Sequence, residues 1–133
     1  MYKIVRKEEL TTTIYLMDVE AKRVAAACEP GQFVIVRMGE DGERIPLTIC
    51  DYDREKGTVT IVFQCVGAAT TMMAELEEGD AFHDFVGPLG CPSELVKEPV
   101  EELQKKKILF VAGGVGAAPV YPQVKWLHEH GVD

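Results

Sequence analysis

From residue 2 to about 86, apolar and polar residues alternate in short runs separated by turn-forming clusters. In TVTIVFQCV, residues 58–66, the side chains of Val59, Ile61, Phe63 and Cys65 share one face and those of Thr58, Thr60 and Gln64 the other, the period-2 pattern of a half-buried strand. YKIVRKEEL, TTIYLMDVE, QFVIVRM, IPLTICDY and DAFHDFV supply the other strand candidates. Between them, EPGQ at 29–32, GEDGE at 39–43 and DREKG at 53–57 carry the residues that turns require. This spacing predicts an antiparallel barrel or sandwich, with Cys65 in its core. One helix interrupts the strands in ATTMMAELEEGD, where Thr70 or Thr71 is the expected N-cap, Gly79 the stop, and Met72, Met73 and Leu76 the inward face.

Beyond residue 86 the pattern changes. GPLGCPSELVKEP is a turn-rich connector that places a domain boundary between about 90 and 104, and VEELQKKK then leads into ILFVA. That run is apolar on both faces, as a buried parallel strand is. A glycine turn, AGGVGAAP, and a helix with Val120, Val124 and Leu127 on one stripe follow, with Trp126 flanking and Gly131 closing. A strand, a glycine turn and a helix are half of a βαβ crossover, so the expected division is a barrel domain over 1–98 and the start of an α/β domain over 99–133. The second parallel strand is expected after Asp133, which makes the chain an incomplete version of a longer protein. Apolar faces left open on ILFVAGG and its helix imply either a homodimer or a tail folded back on the barrel.

Charge narrows the partners. The formal net charge is −8, with 22 acidic and 14 basic residues and no basic stripe, which disfavours nucleic acid. No apolar run reaches membrane-spanning length, and MYKIVRKEEL is charged where a secretory leader is apolar, so a cytoplasmic location is expected. Cys28, Cys50, Cys65 and Cys91 lack the close Cys-x-x-Cys pairing of a metal grip and read as reduced structural thiols.

Three motifs offer chemistry. Gly113, Gly114 and Gly116 sit where a strand-to-helix turn brings backbone N–H groups up to a pyrophosphate, with Pro119 in the first helical turn in place of the third glycine of G-x-G-x-x-G. In RIPLTICDY, Arg44 stands beside a strand that carries Pro46 and Thr48 on one side; it is either a solvated cation or a grip for an anion. In QCVGAATT a strand again ends in glycine before a helix start, which either caps itself or also receives a phosphate.

In this order, Arg-x-Pro-Leu-Thr-Ile, Gly-x-x-Thr, Gly-Pro-Leu-Gly and Gly-Gly-x-Gly-x-x-Pro resemble the ferredoxin–NADP reductase superfamily. Within it the chain is most similar to two kinds of electron-transfer subunit: that of dihydroorotate dehydrogenase, and the small subunit of NADH-dependent ferredoxin–NADP oxidoreductase, or sulfide dehydrogenase subunit. The resemblance implies a six-stranded Greek-key barrel binding FAD, one short helix, and the opening of a Rossmann-like NAD(P)H domain. Arg44 would meet the FAD pyrophosphate; Pro46, Leu47 and Thr48 would line the isoalloxazine; Ile49, Cys50 and Asp51 would continue beside it. Gly67, Ala68, Ala69 and Thr70 would present N–H groups and a hydroxyl to the pyrophosphate, and Gly113, Gly114 and Gly116 would meet the nicotinamide dinucleotide. The implied activity passes hydride from NAD(P)H to FAD and electrons to a large iron–sulfur and flavin subunit, with ferredoxin or a similar carrier as further partner. No catalytic acid or base is required of the protein. Relatives are about twice as long, and the carboxy-terminal cysteines that hold their 2Fe-2S cluster have no counterpart here; Ile45 also stands where many have a second Arg. A fragment without the rest of the nicotinamide site would lack full activity. The competing readings are a barrel interaction module that has lost its cofactor, and a barrel that binds FMN or a plain nucleotide.

Overall fold

The computed structural model describes residues 2–132. Strands β1 (Tyr2–Glu9), β2 (Ile14–Glu20), β3 (Phe33–Arg37), β4 (Ile45–Asp53), β5 (Thr58–Gln64), β6 (Ala81–Phe82) and β7 (Asp84–Leu89) form one antiparallel sheet in the order β6-β1-β2-β5-β4-β3-β7. Its two ends are successive pieces of one run. β6 pairs with β1 through Tyr2↔Phe82, and β7 pairs with β3 through Val36↔Phe85, with only His83 between them. The His83 N–H donates to the Arg37 carbonyl at 2.8 Å. The predicted strand DAFHDFV is thus divided at His83 and brings the two edges together, leaving a nearly closed barrel. β2 lies beside β5 while β3, β4 and β5 form a meander, a Greek-key arrangement.

The alternation seen in the sequence fills the barrel. Met17, Val19, Val34, Val36, Ile49, Val59 and Ile61 are fully buried, and Phe63, Phe82 and Phe85 close the core. Cys65, expected there too, is only half-buried, because β5 ends at Gln64 and the chain turns away.

Helix α1 (Lys22–Ala27) lies in the β2–β3 connection and adds a second short helix to the one expected among the strands. Helix α2 (Ala68–Ala74) starts earlier than predicted, with Gly67 rather than Thr70 or Thr71 at the N-cap, and ends well before Gly79. Only Met73 of the methionine pair is buried; Met72 is 58% exposed, since adjacent helical residues cannot share a face.

The tail departs further from expectation. ILFVA forms no strand: among the described residues nothing pairs with it, and Leu109 and Val111 are 87% and 84% exposed. Helix α3 (Val100–Gln104), a 3-10 turn at Gly114–Gly116 and helix α4 (Ala117–Glu129) complete the chain. Of the predicted stripe α4 buries Leu127, with Val120 half-buried and Val124 exposed, and it buries Ala118 and Pro122 beside it. Leu127 packs with Leu103 and Val132 in a small second cluster that shares no residue with the barrel core.

Candidate functional site

Strand β4 changes partner halfway. Ile45–Thr48 pair with β3, from Val36↔Ile45 to Phe33↔Thr48, whereas Ile49–Asp53 pair with β5. The register shifts between Ile49 and Asp51, so Cys50 is an extra, buried residue at the switch. Pairing with β5 stops at Ile49↔Ile61, yet β5 runs on to Gln64 along β2. The first half of β4 and the last half of β5 therefore separate, and an opening lies between them. Continued across that opening, the register sets Thr48 level with Val62, Pro46 with Gln64 and Arg44 with Val66, next to the glycine that starts α2.

Alternation decides which predicted residues face outward. Ile45 and Ile49 belong to the barrel core and Leu47 packs against it, while Arg44 and Pro46 are exposed and Thr48 is half-buried. The side chains of Leu47 and Ile49 thus turn away from the opening and border it with backbone alone. Among the described residues no carboxylate pairs with Arg44 and no partner engages the Thr48 hydroxyl. Pro46 offers no N–H to either edge.

At the far side of the opening the Thr70 hydroxyl reaches back along the chain. It accepts from the Val66 and Gly67 N–H groups at 3.0 and 3.1 Å, and lies 3.2 Å from the Gly67 carbonyl, to which it donates. The side chain is therefore used to hold the turn, which leaves the N–H groups of Ala68, Ala69 and Thr70 without intrahelical acceptors. Gly67 has extended backbone, φ −163°, and a Cβ there would meet nothing within 4 Å. Gly113 and Gly116 have negative φ and equally open surroundings, whereas Gly114, at φ +58°, needs to be glycine for its backbone.

The glycine turn lies over the outer barrel face. A cavity of about 830 Å³ separates Gly114, Val115 and Tyr121 from Leu16, Thr60 and Val62 of the strands, and it reaches Cys50 and Asp51. The other predicted residues lie outside its lining. Burial, followed by the nearby carboxylates of Asp51 and Asp18, pushes the Cys50 thiol up to about 11, so a neutral group stands at the bulge. Asp51 accepts the Tyr52 N–H at 2.8 Å and receives Lys125 of α4 at 2.7 Å. That hydrogen bond raises the Lys125 pKa and keeps it charged.

Several residues gave no signal in the sequence. Lys125 meets Asp51 across 74 positions. Arg54, in a segment read as a plain turn, donates to the carbonyls of Ala25, Ala26 and Cys28 at the end of α1. Gln32 is buried and joins the Glu29 N–H to the Gly90 carbonyl, fixing the EPGQ turn against the connector. Among the described residues no group of His, Cys, Asp and Glu could hold a metal ion, and no helix is long and apolar enough to cross a membrane.

No family model matches the chain. It is 67% identical, over 99% of its length, to an uncharacterised protein from the adh 3′ region of Clostridium beijerinckii, covering 45% of that protein. It is 39% identical over 97% of its length to a dihydroorotate dehydrogenase B (NAD(+)) electron transfer subunit homolog of Thermotoga maritima, covering 43% of it. Among solved structures, NADH-dependent reduced ferredoxin–NADP oxidoreductase matches 98% of the chain with a TM-score of 0.85 and 36% identity, over 45% of that chain. Phthalate dioxygenase reductase, at 19% identity and a TM-score of 0.72 over 98% of this chain and 40% of its own, shares the fold. The chain spans less than half the length of these relatives.

Proposed function

As a relative of the dihydroorotate dehydrogenase electron transfer subunits, with the fold of the ferredoxin reductase FAD-binding domain, this chain, we propose, supplies the FAD-binding portion of an NAD(P)H-linked electron-transfer oxidoreductase. The observation that carries the reading is the opening where β4 leaves β5. On one side stand the Arg44 guanidinium and the Thr48 hydroxyl, neither with a side-chain partner among the described residues; on the other, a helix start whose first N–H groups lack intrahelical acceptors. A dinucleotide needs such a pairing: a planar ring against a strand, and a pyrophosphate between a cation and oriented N–H groups.

The chain's own packing supports the fit. Neither backbone angle nor steric crowding calls for glycine at Gly67, Gly113 or Gly116, so their missing side chains serve something that comes close to the backbone. The cavity under the glycine turn, lined by Cys50, Asp51 and Gly114 of the predicted residues but not by Arg44, Thr48 or Thr70, lies within the ordinary volume range of ligand sites and suits the nicotinamide side of the site.

The chemistry supplied by bound FAD would be acceptance of hydride from a nicotinamide and release of single electrons. The protein's part is to hold and cover it. Arg44 and the first turn of α2 would neutralise phosphate charge. Pro46 and Thr48 would present one apolar and one hydrogen-bonding surface to the ring, while Cys50 and Asp51 would border it beyond the bulge. The turn at Gly113, Gly114 and Gly116 would receive the nicotinamide dinucleotide and keep water from the face below.

In this reading residues 1–98 are the flavin domain and 99–133 open the nicotinamide domain. Full turnover, a 2Fe-2S cluster and delivery of electrons to a large iron–sulfur partner would need the part of the relatives' length that these 133 residues do not span. Residues 1–133 alone are expected to bind FAD and to oxidise NAD(P)H poorly. The test is the visible spectrum of the purified chain after incubation with FAD and gel filtration. Retained flavin bands support the reading; their absence favours a barrel module without cofactor.

A further inference from the structure

The hydrophobic residues of the chain fall into two separate clusters. The barrel core takes no residue from α4, and the second cluster, built by Leu103, Leu127 and Val132, takes none from the strands. Ala118 and Pro122 of α4 are buried but join neither cluster, and an interface with no shared core lets two units shift relative to each other. Something must nevertheless set the height of the glycine turn above β4.

Between α4 and the strands, the side-chain hydrogen bond recorded among the described residues is Lys125 to Asp51, at 2.7 Å. Gln123 bonds Ser93 at 2.9 Å, which ties α4 to the connector and not to a strand. The Asp51 carboxylate is itself held, since it accepts the Tyr52 N–H and stands one residue past the bulge at Cys50. The pair also walls off space: both residues line the 830 Å³ cavity and a second cleft of about 460 Å³ bounded by Glu29, Arg54, Trp126 and His130. With side chains 35% and 29% exposed, the pair contributes little net stability, and what it supplies is register.

We infer that Lys125 and Asp51 form a positioning latch that fixes α4, and the glycine turn ahead of it, over the outer face of β4. Lys125 acts through this placement and does not touch the flavin; its role in electron transfer rests on the FAD reading above. Without the latch the cover over the ring becomes loose while the pyrophosphate grip at Arg44 and α2 is unaffected.

Amide hydrogen exchange on the apo 133-residue chain tests the latch itself. In Lys125→Met, exchange over residues 114–130 should quicken about fivefold, the population change matching a surface-type ion pair, with the strands unchanged. The charge-swapped double variant, Asp51→Lys with Lys125→Asp, should restore protection. Exchange equal to the parent in Lys125→Met, or a swap that restores nothing, overturns the latch. Visible circular dichroism of bound FAD then tests its positioning role: Lys125→Met should keep the parent's Kd for FAD and change the dichroism, and an unchanged spectrum overturns that role. If the parent takes up no FAD, the flavin reading falls while the exchange comparison still decides the latch.

Discussion

Replacing Arg54 by Met removes the cap of α1 while keeping the length of the side chain. α1 has no basic residue in its last turn and no left-handed glycine at its end, so its terminal carbonyls depend on this guanidinium. Arg54 donates to Ala25 and Cys28 at 3.0 Å and to Ala26 at 2.7 Å, and its guanidinium sits 4.7 Å from the Tyr52 ring centroid. The ion pair with Glu29, at 3.5 Å between groups about 40% exposed, adds nothing to the sum. Hydrogen bonds from a charged donor contribute about 1.5–3 kcal/mol when buried; three shared by one half-exposed group, with a modest cation–π contact, come to about 2 kcal/mol. An unfolding entropy of about 2.1 cal/mol/K per residue over 133 residues converts this into a fall in Tm of about 7 °C. Differential scanning calorimetry should find that fall in Arg54→Met. Arg54→Lys should recover about half, because an ammonium cannot span the three carbonyls as a planar fork does. A loss under about 2 °C in Arg54→Met would refute the capping argument.

Thiol chemistry gives a second check. Burial first pushes Cys28 and Cys50 up to about 11 from an ordinary 9.0, opposed by Arg54 at Cys28 and with nearby carboxylates adding at both, whereas Cys91 is exposed and Cys65 half-buried. Only the latter two should react promptly with a thiol reagent at pH 8, and prompt labelling of all four would contradict the burial. The sign of the linkage follows: the folded state holds these protons more tightly, so their contribution is complete below pH 9.0 and is lost as pH rises toward about 11, visible in Tm measured across that window. Two glycines with nearly equal φ separate strain from contact. At Gly31, φ +99°, a Cβ would stand 2.6 Å from the Ser93 nitrogen, while at Gly79, φ +97°, it meets nothing within 4 Å. Both Ala variants should lose about 1–3 kcal/mol in urea unfolding from the backbone, with Gly31→Ala the worse by a further kcal/mol or about that, and equal losses would refute the contact.

The barrel was legible because each of its strands has one wet and one dry face, and alternation records that directly. Val59, Ile61 and Phe63 in the core and Thr58 and Thr60 outside repeat the pattern residue by residue. α1 was not legible: its six residues bury only Val24 and Ala25, and no side chain caps its start, so it has neither stripe nor boundary signal. ILFVA misled for the opposite reason. Apolarity on both faces is a property of the run, but a strand is a property of a pair, and no partner stands beside it among residues 2–132. At the site, motifs pointed to Arg44, Thr48, Gly67 and the glycine turn, and the partner switch in β4 with its bulge at Cys50 supplied what no motif holds, the opening between them. The Lys125–Asp51 contact joins a residue the motifs named to one that carried no signal, far apart in sequence, and could be found only by folding the chain.

The central claim is that the opening between β4 and the start of α2 holds FAD, with Arg44 on its pyrophosphate. Titration of the purified chain with FAD, followed by flavin fluorescence, tests it in the parent and in Arg44→Ala. The account predicts saturable binding by the parent and a Kd raised about 10- to 100-fold by the substitution, the effect of losing one charge-assisted grip. A parent that binds no FAD, or an Arg44→Ala variant that binds as tightly as the parent, would contradict it.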